Sequence, residues 1–205
     1  MQTALRYVHT RCIDGYRLLP AEKPKRANAS AILIAKEERF EPMSARLDPY
    51  EPLRIERLFT RFAEVKDGAS ALRFLGAFGY PLSDDGWTLA PMLRAAAAMR
   101  EAIAALKADD RKMLLHLFAE AGIGRLTTEL RLIDGAFAIV LVPTSLLQAM
   151  WIQFAQVVVS GAAIASCEQC GAIFPTGTGT GRRNTARFCS DSCRKAHHYQ
   201  RRVAR

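Results

Sequence analysis

The sequence predicts an α+β chain. It has a mainly α N-terminal domain over residues 1–165, with short β-hairpins, and a small four-cysteine C-terminal module over residues 166–205 of zinc-ribbon or treble-clef-like type. Three observations predict it. Apolar residues recur three and four apart from Leu53 to Phe118, and again from Leu147 to Val158, the spacing of amphipathic helices. Between Thr127 and Val142 the period falls to two around Asp134-Gly135, the pattern of a hairpin. Four of the five cysteines stand in two close pairs, Cys167-x-x-Cys170 and Cys189-x-x-x-Cys193, with eighteen residues between the pairs.

Taken in order, Tyr7-Val8-His9 and Tyr16 to Leu19 flank the turn dipeptide Asp14-Gly15 and predict a first hairpin. Pro20 to Ser30 reads as an exposed basic loop and Ala31 to Ala35 as a short strand, after which Pro42, Pro49 and Pro52 break any long element. Ile55, Leu58, Phe59, Phe62 and Val65 mark a helix starting at Leu53 and ended by Asp67-Gly68; Leu72, Leu75 and Phe78 mark the next. Asp84-Asp85-Gly86 is a loop and not an acid/base pair. Trp87 to Lys107 is the longest helix, its alanine run raising intrinsic propensity. Asp109 or Asp110 caps a helix over Arg111 to Ala121, stopped by Gly122 and Gly124, with His116 alone at its surface. After the 127–142 hairpin, Thr144 or Ser145 starts a helix with Leu147, Met150, Trp151, Phe154 and Val157 on its apolar side. Its polar side carries Gln148, Gln153 and Gln156, and it runs almost directly into Cys167.

With 205 residues, half of them hydrophobic, the chain suits one sizeable globular domain plus a small metal module. Gly135 to Cys167 carries no charge, but Pro143 divides the run and glutamines punctuate the rest, so a membrane span is not expected. The N-terminus has no apolar leader, which predicts a cytoplasmic protein with Cys12 as a reduced, unpaired thiol. No nucleophile, base and orienting group converge in the sequence, and the glycine-rich run Gly177 to Gly181 lacks the spacing of a phosphate-binding lysine loop. An enzyme is therefore not expected.

Two close cysteine pairs across a loop are the ligand set of a tetrahedral Zn²⁺. Gly171 suits the tight turn after Cys170, and Cys189 and Cys193 are one helical turn apart, so both can face one ion. Four thiolates leave no open position, so the expected zinc is structural, and His197 is not needed as a ligand. Around it, residues 182–205 carry eight basic side chains against one acid, Asp191. Arg182, Arg183, Arg187, Arg194, Lys195, Arg201 and Arg202 are the candidate phosphate contacts, with Tyr199 among them.

The run Cys-x-x-Cys-Gly-x-x-Phe, an arginine-rich loop, then Arg187-Phe188-Cys189-Ser190-Asp191-Ser192-Cys193-Arg194 before a basic helix resembles the small bacterial zinc-finger modules of the CGNR type. The likeness covers Cys167 to Arg205; the Cys-Gly-Asn-Arg signature is replaced here by Cys193-Arg194-Lys195-Ala196. It implies a module carried behind a mainly helical domain in transcription regulators. The expected partner is nucleic acid, DNA ahead of RNA, with homodimerisation through the N-terminal domain. The alternative is a zinc module that meets protein partners and binds no nucleic acid.

Overall fold

A computed structural model describes the chain except for residues 1–3, 6, 22–36, 56, 84–86, 122–125, 134, 178–179 and 204–205. The strand expected at Ala31–Ala35 lies outside the described residues. So do Lys23, Lys25 and Arg26 of the basic loop, the Asp84–Gly86 turn, and Gly122 and Gly124. The described chain mixes helix and strand. In order it runs β1 (Ala4–Leu5), β2 (His9–Cys12), β3 (Tyr16–Leu19), β4 (Arg39–Pro42), β5 (Leu47–Tyr50), a 3-10 turn (Pro52–Arg54), α1 (Leu58–Ala63), α2 (Gly68–Phe78), α3 (Leu89–Lys107) and α4 (Arg111–Glu120). It continues with β6 (Thr127–Ile133), β7 (Ala136–Val142), α5 (Leu146–Val159), β8 (Ala163–Ser166), β9 (Ile173–Thr176) and α6 (Asp191–Val203).

The first hairpin is not formed as expected. β2 pairs antiparallel with β5 and β3 with β4, so residues 9–19 and 39–50 make one long ribbon. Asp14-Gly15 faces a bulge in that ribbon and is not its turn: Ile13 N donates to Arg46 O and Met43 N to Gly15 O, with Gly15 at φ 86°. The extra residue on the 43–46 side shifts the register by one, which a glycine free to take positive φ absorbs. Pro42 and Pro49 sit inside strands of this two-stranded ribbon, where proline is tolerated because one side of each strand has no ladder to supply.

The helix expected from Leu53 is split. A 3-10 turn precedes α1, and Arg57 between them takes φ 61°. Asp67 caps α2 through a reciprocal capping box with Ser70, whose N donates to Asp67 Oδ1 at 2.7 Å. Asp110 caps α4 by accepting from Met113 N at 3.0 Å, and Ser145 caps α5 by accepting from Gln148 N at 3.1 Å. Arg100 on α3 donates to the carbonyls of Ala63 and Val65, satisfying the open C-terminal end of α1.

The core joins all of these. Cys12, Tyr16 and Phe40 from the ribbon, Leu58, Phe59 and Phe62 from α1, Phe74 and Leu75 from α2, and Met92, Ala96 and Met99 from α3 are buried together. α5 lies through the middle. Its expected polar side is corrected: Gln148 and Gln153 are buried, because neighbours surround the helix. Gln148 Oε1 accepts from Thr144 N at 2.7 Å, and Gln153 Nε2 donates to Pro52 O and Ile55 O. Their amides thus pin the ends of neighbouring segments instead of meeting water. Cys12 is a free, buried thiol that donates to Ser44 O at 3.4 Å.

The 127–142 hairpin forms as expected, Thr127 opposite Val142 through Ile133 opposite Ala136. β1 adds in parallel to the far side of β7, so the order is β1-β7-β6 with β6 at the edge. No helix among the described residues is long and apolar enough to cross a membrane.

One buried group makes the fold sensitive to pH. His9 on β2 stacks with Tyr7, meets the Tyr50 ring edge-on and hydrogen-bonds the Tyr7 hydroxyl through Nδ1, while its Nε2 is buried against the backbone around Gly79 and Tyr80. Burial holds the imidazole pKa down at about 4, against about 6.5 when free. The unfolded chain therefore takes up this proton first as pH falls. The contribution of His9 is complete above pH 6.5 and is lost on going down towards pH 4, a change of roughly 3 kcal/mol. Urea unfolding at pH 7 and pH 4.5 should show a smaller loss of stability on acidification for His9→Gln than for the natural chain. Equal losses would remove His9 as the cause.

Candidate metal centre

The cysteine cluster is built by two local devices. The apolar run that leads out of α5 turns at Ser160-Gly161 and becomes strand β8, which pairs with β9 from Ala163 opposite Thr176 to Ser166 opposite Ile173. The helix expected to run into Cys167 is thus interrupted by a strand, and Cys167 and Cys170 occupy the hairpin tip. There Gly171 N donates to Cys167 O at 2.8 Å and Cys167 N to Ala172 O at 2.9 Å. Gly171 holds φ 73°, the left-handed conformation a side chain would oppose. The second device is the start of α6, where Cys189 and Cys193 are one turn apart and Ser190 Oγ accepts from Cys193 N at 3.2 Å.

These devices bring all four sulfurs together, Cys167, Cys170, Cys189 and Cys193 lying within 4.8 Å of one another. Cys170 Sγ is 3.6 Å from Cys189 Sγ and 3.7 Å from Cys193 Sγ; Cys189 Sγ is 3.5 Å from Cys193 Sγ. Sulfurs placed at about 2.3 Å from one tetrahedral ion stand about 3.8 Å apart, so the cluster has the size of a four-thiolate metal site. No disulfide links them.

The protons fit the same reading. Burial works to raise the Cys167 thiol, yet the backbone amides of Cys189, Cys170 and Gln169 hold it down at about 6. Cys189 is pushed up to about 12 by burial and by the neighbouring sulfurs of Cys193, Cys170 and Cys167. Negative charge can thus collect on the cluster as a whole only when a cation neutralises it.

The seven nominated basic residues fall into two groups. Arg182 and Arg187 hold the module together. Arg182 Nη2 donates to Cys189 O at 2.7 Å while its guanidinium lies 5.6 Å over the Phe174 ring, and Arg187 forms a two-point ion pair with Glu168. Glu168 N also donates to Arg187 O, tying the loop to the first knuckle. Arg194 pairs with Asp191 at 3.1 Å, both largely exposed. Arg183, Lys195, Arg201 and Arg202 make no ion pair among the described residues. A groove of about 660 Å³ between the 181–188 loop and the start of α6 is lined by Arg182, Arg183, Arg187 and Arg194, with Asp191 its one acid.

α6 presents two faces. Cys193 turns to the cluster, Gln200 accepts from Gln169 Nε2 at 3.2 Å, and His197 packs on Phe188 at 5.1 Å. His197 is thereby occupied as a packing group and stands outside the sulfur cluster. The opposite face, at helical spacing, carries Arg194, His198 and Arg202 in one row and Lys195 and Tyr199 in the next, all exposed. Tyr199 is 71% exposed. The pairings of Arg182 and Arg187 were invisible in the sequence, although Glu168 between two ligand cysteines was the available signal.

No protein-family model matches the chain, and no match was found among curated proteins.

Proposed function

We propose that residues 166–205 form a treble-clef-like zinc module that binds nucleic acid, carried on an N-terminal domain of residues 1–165. Cys167, Cys170, Cys189 and Cys193 hold the ion, which supplies no vacant position for chemistry. The reading is that of a transcription regulator working in the cytoplasm, with DNA as its target ahead of RNA, and not of an enzyme. The observation that carries it is the exposed face of α6, where Arg194, Lys195, His198 and Arg202 stand around an exposed Tyr199 and Asp191, paired with Arg194, is the one acid of the helix. The groove beside Arg183 extends that face toward the loop. Phosphates supply the charge these side chains lack, and each contact releases a counterion.

Because Arg182 and Arg187 are engaged inside the module, the phosphate contacts come from Arg183, Arg194, Lys195, Arg201 and Arg202. Binding of the full zinc-loaded chain to random duplex DNA should therefore weaken with salt with a log–log slope of about −3 to −5. Replacing Lys195 and Arg202 together by glutamate should flatten that slope by about 2 and weaken binding across all sequences. Failure to bind duplex DNA and single-stranded RNA at low salt overturns the reading and leaves a zinc module that docks protein.

A further inference from the structure

The hairpin β6–β7 exposes an apolar face. Leu130 stands opposite Ile139 and Leu132 opposite Phe137, and the four are 68%, 42%, 66% and 79% exposed. Together they present on the order of 400 Å² of apolar surface, the size of the largest patches on ordinary monomers, which are often functional. The outer edge of β6 has no strand beside it among the described residues, so every second residue of the strand also turns its backbone donor and acceptor outward there. Neither proline nor lysine blunts that edge; its only charges are Glu129 and Arg131, on the other face and hydrogen-bonded to each other at 2.7 Å.

We propose that β6 pairs antiparallel with β6 of a second copy, about a two-fold axis at Leu130, joining two three-stranded sheets into one of six strands. The charge pattern of the strand selects this register. Sliding an antiparallel pair by one residue would mix apolar and charged faces, so only registers that keep the faces aligned compete. Centred on Leu130, the pairing sets Glu129 of each copy against Arg131 of the other, at both ends of the axis. Centred on Glu129 it opposes two carboxylates, and centred on Arg131 two guanidiniums, each destabilising when directly opposite. The favoured register also abuts the two Leu130 side chains and places each Leu132 beside a Thr128, so the apolar face runs unbroken across both copies. The contact is isologous and closes on itself, and so gives a dimer and not a fibre.

The inference does not depend on nucleic-acid binding, and its test uses the full chain without DNA. Sedimentation velocity at micromolar to tens of micromolar chain should show the natural protein as a dimer. Glu129→Arg alone and Arg131→Glu alone should each raise the dimer dissociation constant at least tenfold, since each opposes like charges twice. An equimolar mixture of the two variants should recover the dimer, because each then supplies the charges the other needs. Circular dichroism matching the natural chain confirms that the variants fold, and recovery on mixing makes the same point independently. A natural chain that stays monomeric over this range overturns the proposal. So do single variants that dimerise as well as the natural chain, the result expected if the apolar faces stack and the edges stay apart. Loss of the dimer in both variants without recovery on mixing would also sink it.

Discussion

Loading the chain with zinc in vitro and then stripping the metal with a strong chelator should unfold α6 and the loop before it, while the aromatic core stays intact. The reason is the distribution of contacts. α6 meets the remainder of the module through Cys193, the Gln169–Gln200 hydrogen bond and the contacts of His197 and His198 with Phe188, and none of its described residues belongs to the main core. Its charged exposed face gives it little reason to be helical alone, and an isolated thirteen-residue helix is marginal in water. Structural zinc in comparable peptides contributes on the order of 10 kcal/mol, far more than those contacts can replace. Chelation should therefore reduce the helical circular dichroism by about one helix of this length, and the same loss should follow Cys193→Ser. Metal analysis should find one ion per chain, and cobalt substitution should give the visible absorption of a tetrahedral thiolate site. An undiminished α6 signal after complete metal removal would show that the module holds itself together. Acid should release the ion as well: binding displaces protons from the thiols, Cys189 above all, so affinity falls as pH falls.

The second large effect lies in the aromatic core. Phe154 on α5 is fully buried, with ring centres 5.4 Å from Phe59 on α1, 5.5 Å from Phe118 on α4 and 6.0 Å from Trp151. It is the hub through which three helices meet. Phe154→Ala removes that ring and leaves a cavity among rigid aromatic neighbours that cannot easily collapse into it, so the expected cost is about 3–5 kcal/mol. Against a typical stability of about 5–15 kcal/mol, this takes the chain close to unfolding at room temperature. Chemical denaturation measures it directly; a loss below about 1 kcal/mol would mean that the helices repack around the gap. The four-cysteine module offers a built-in contrast, since its metal affinity should change far less than the core's stability.

What could be read from the sequence is what local chemistry decides. The caps at Asp110 and Ser145, the hairpin around Gly135 and the convergence of four sulfurs all follow from residues close together in the chain. The failures are non-local or subtle in pattern. Asp14-Gly15 has the look of a hairpin turn, yet β2 and β3 each find partners in residues 39–50, and no spacing rule reports a partner some thirty residues away. Gln148 and Gln153 looked solvent-facing because glutamine usually is; Gln148 instead accepts from Thr144 N at the start of its own helix, and Gln153 donates to carbonyls of the distant 52–55 turn. Ala163 to Ser166 continues an uncharged run in which Gly161, at φ 67°, is the one mark of a helix end; the strand itself is made by pairing with β9. The seven basic residues likewise looked equivalent, and only folding sets Arg182 and Arg187 apart from the others.

Ile164 on β8 and Ile173 on β9 pack against the main core, and Lys107 at the end of α3 donates to Ser166 Oγ at 3.1 Å. The hairpin that presents two metal ligands is therefore also a wall of the body. This limits how the segment can travel between genes. A freely tethered finger can be duplicated, deleted or spliced onto a new host as a self-sufficient cassette. Here a transplanted finger would arrive with two bare isoleucines, and the body left behind would have a gap along α3. Descent of the two parts together, with matched changes on either side of the seam, is the inheritance this joint favours.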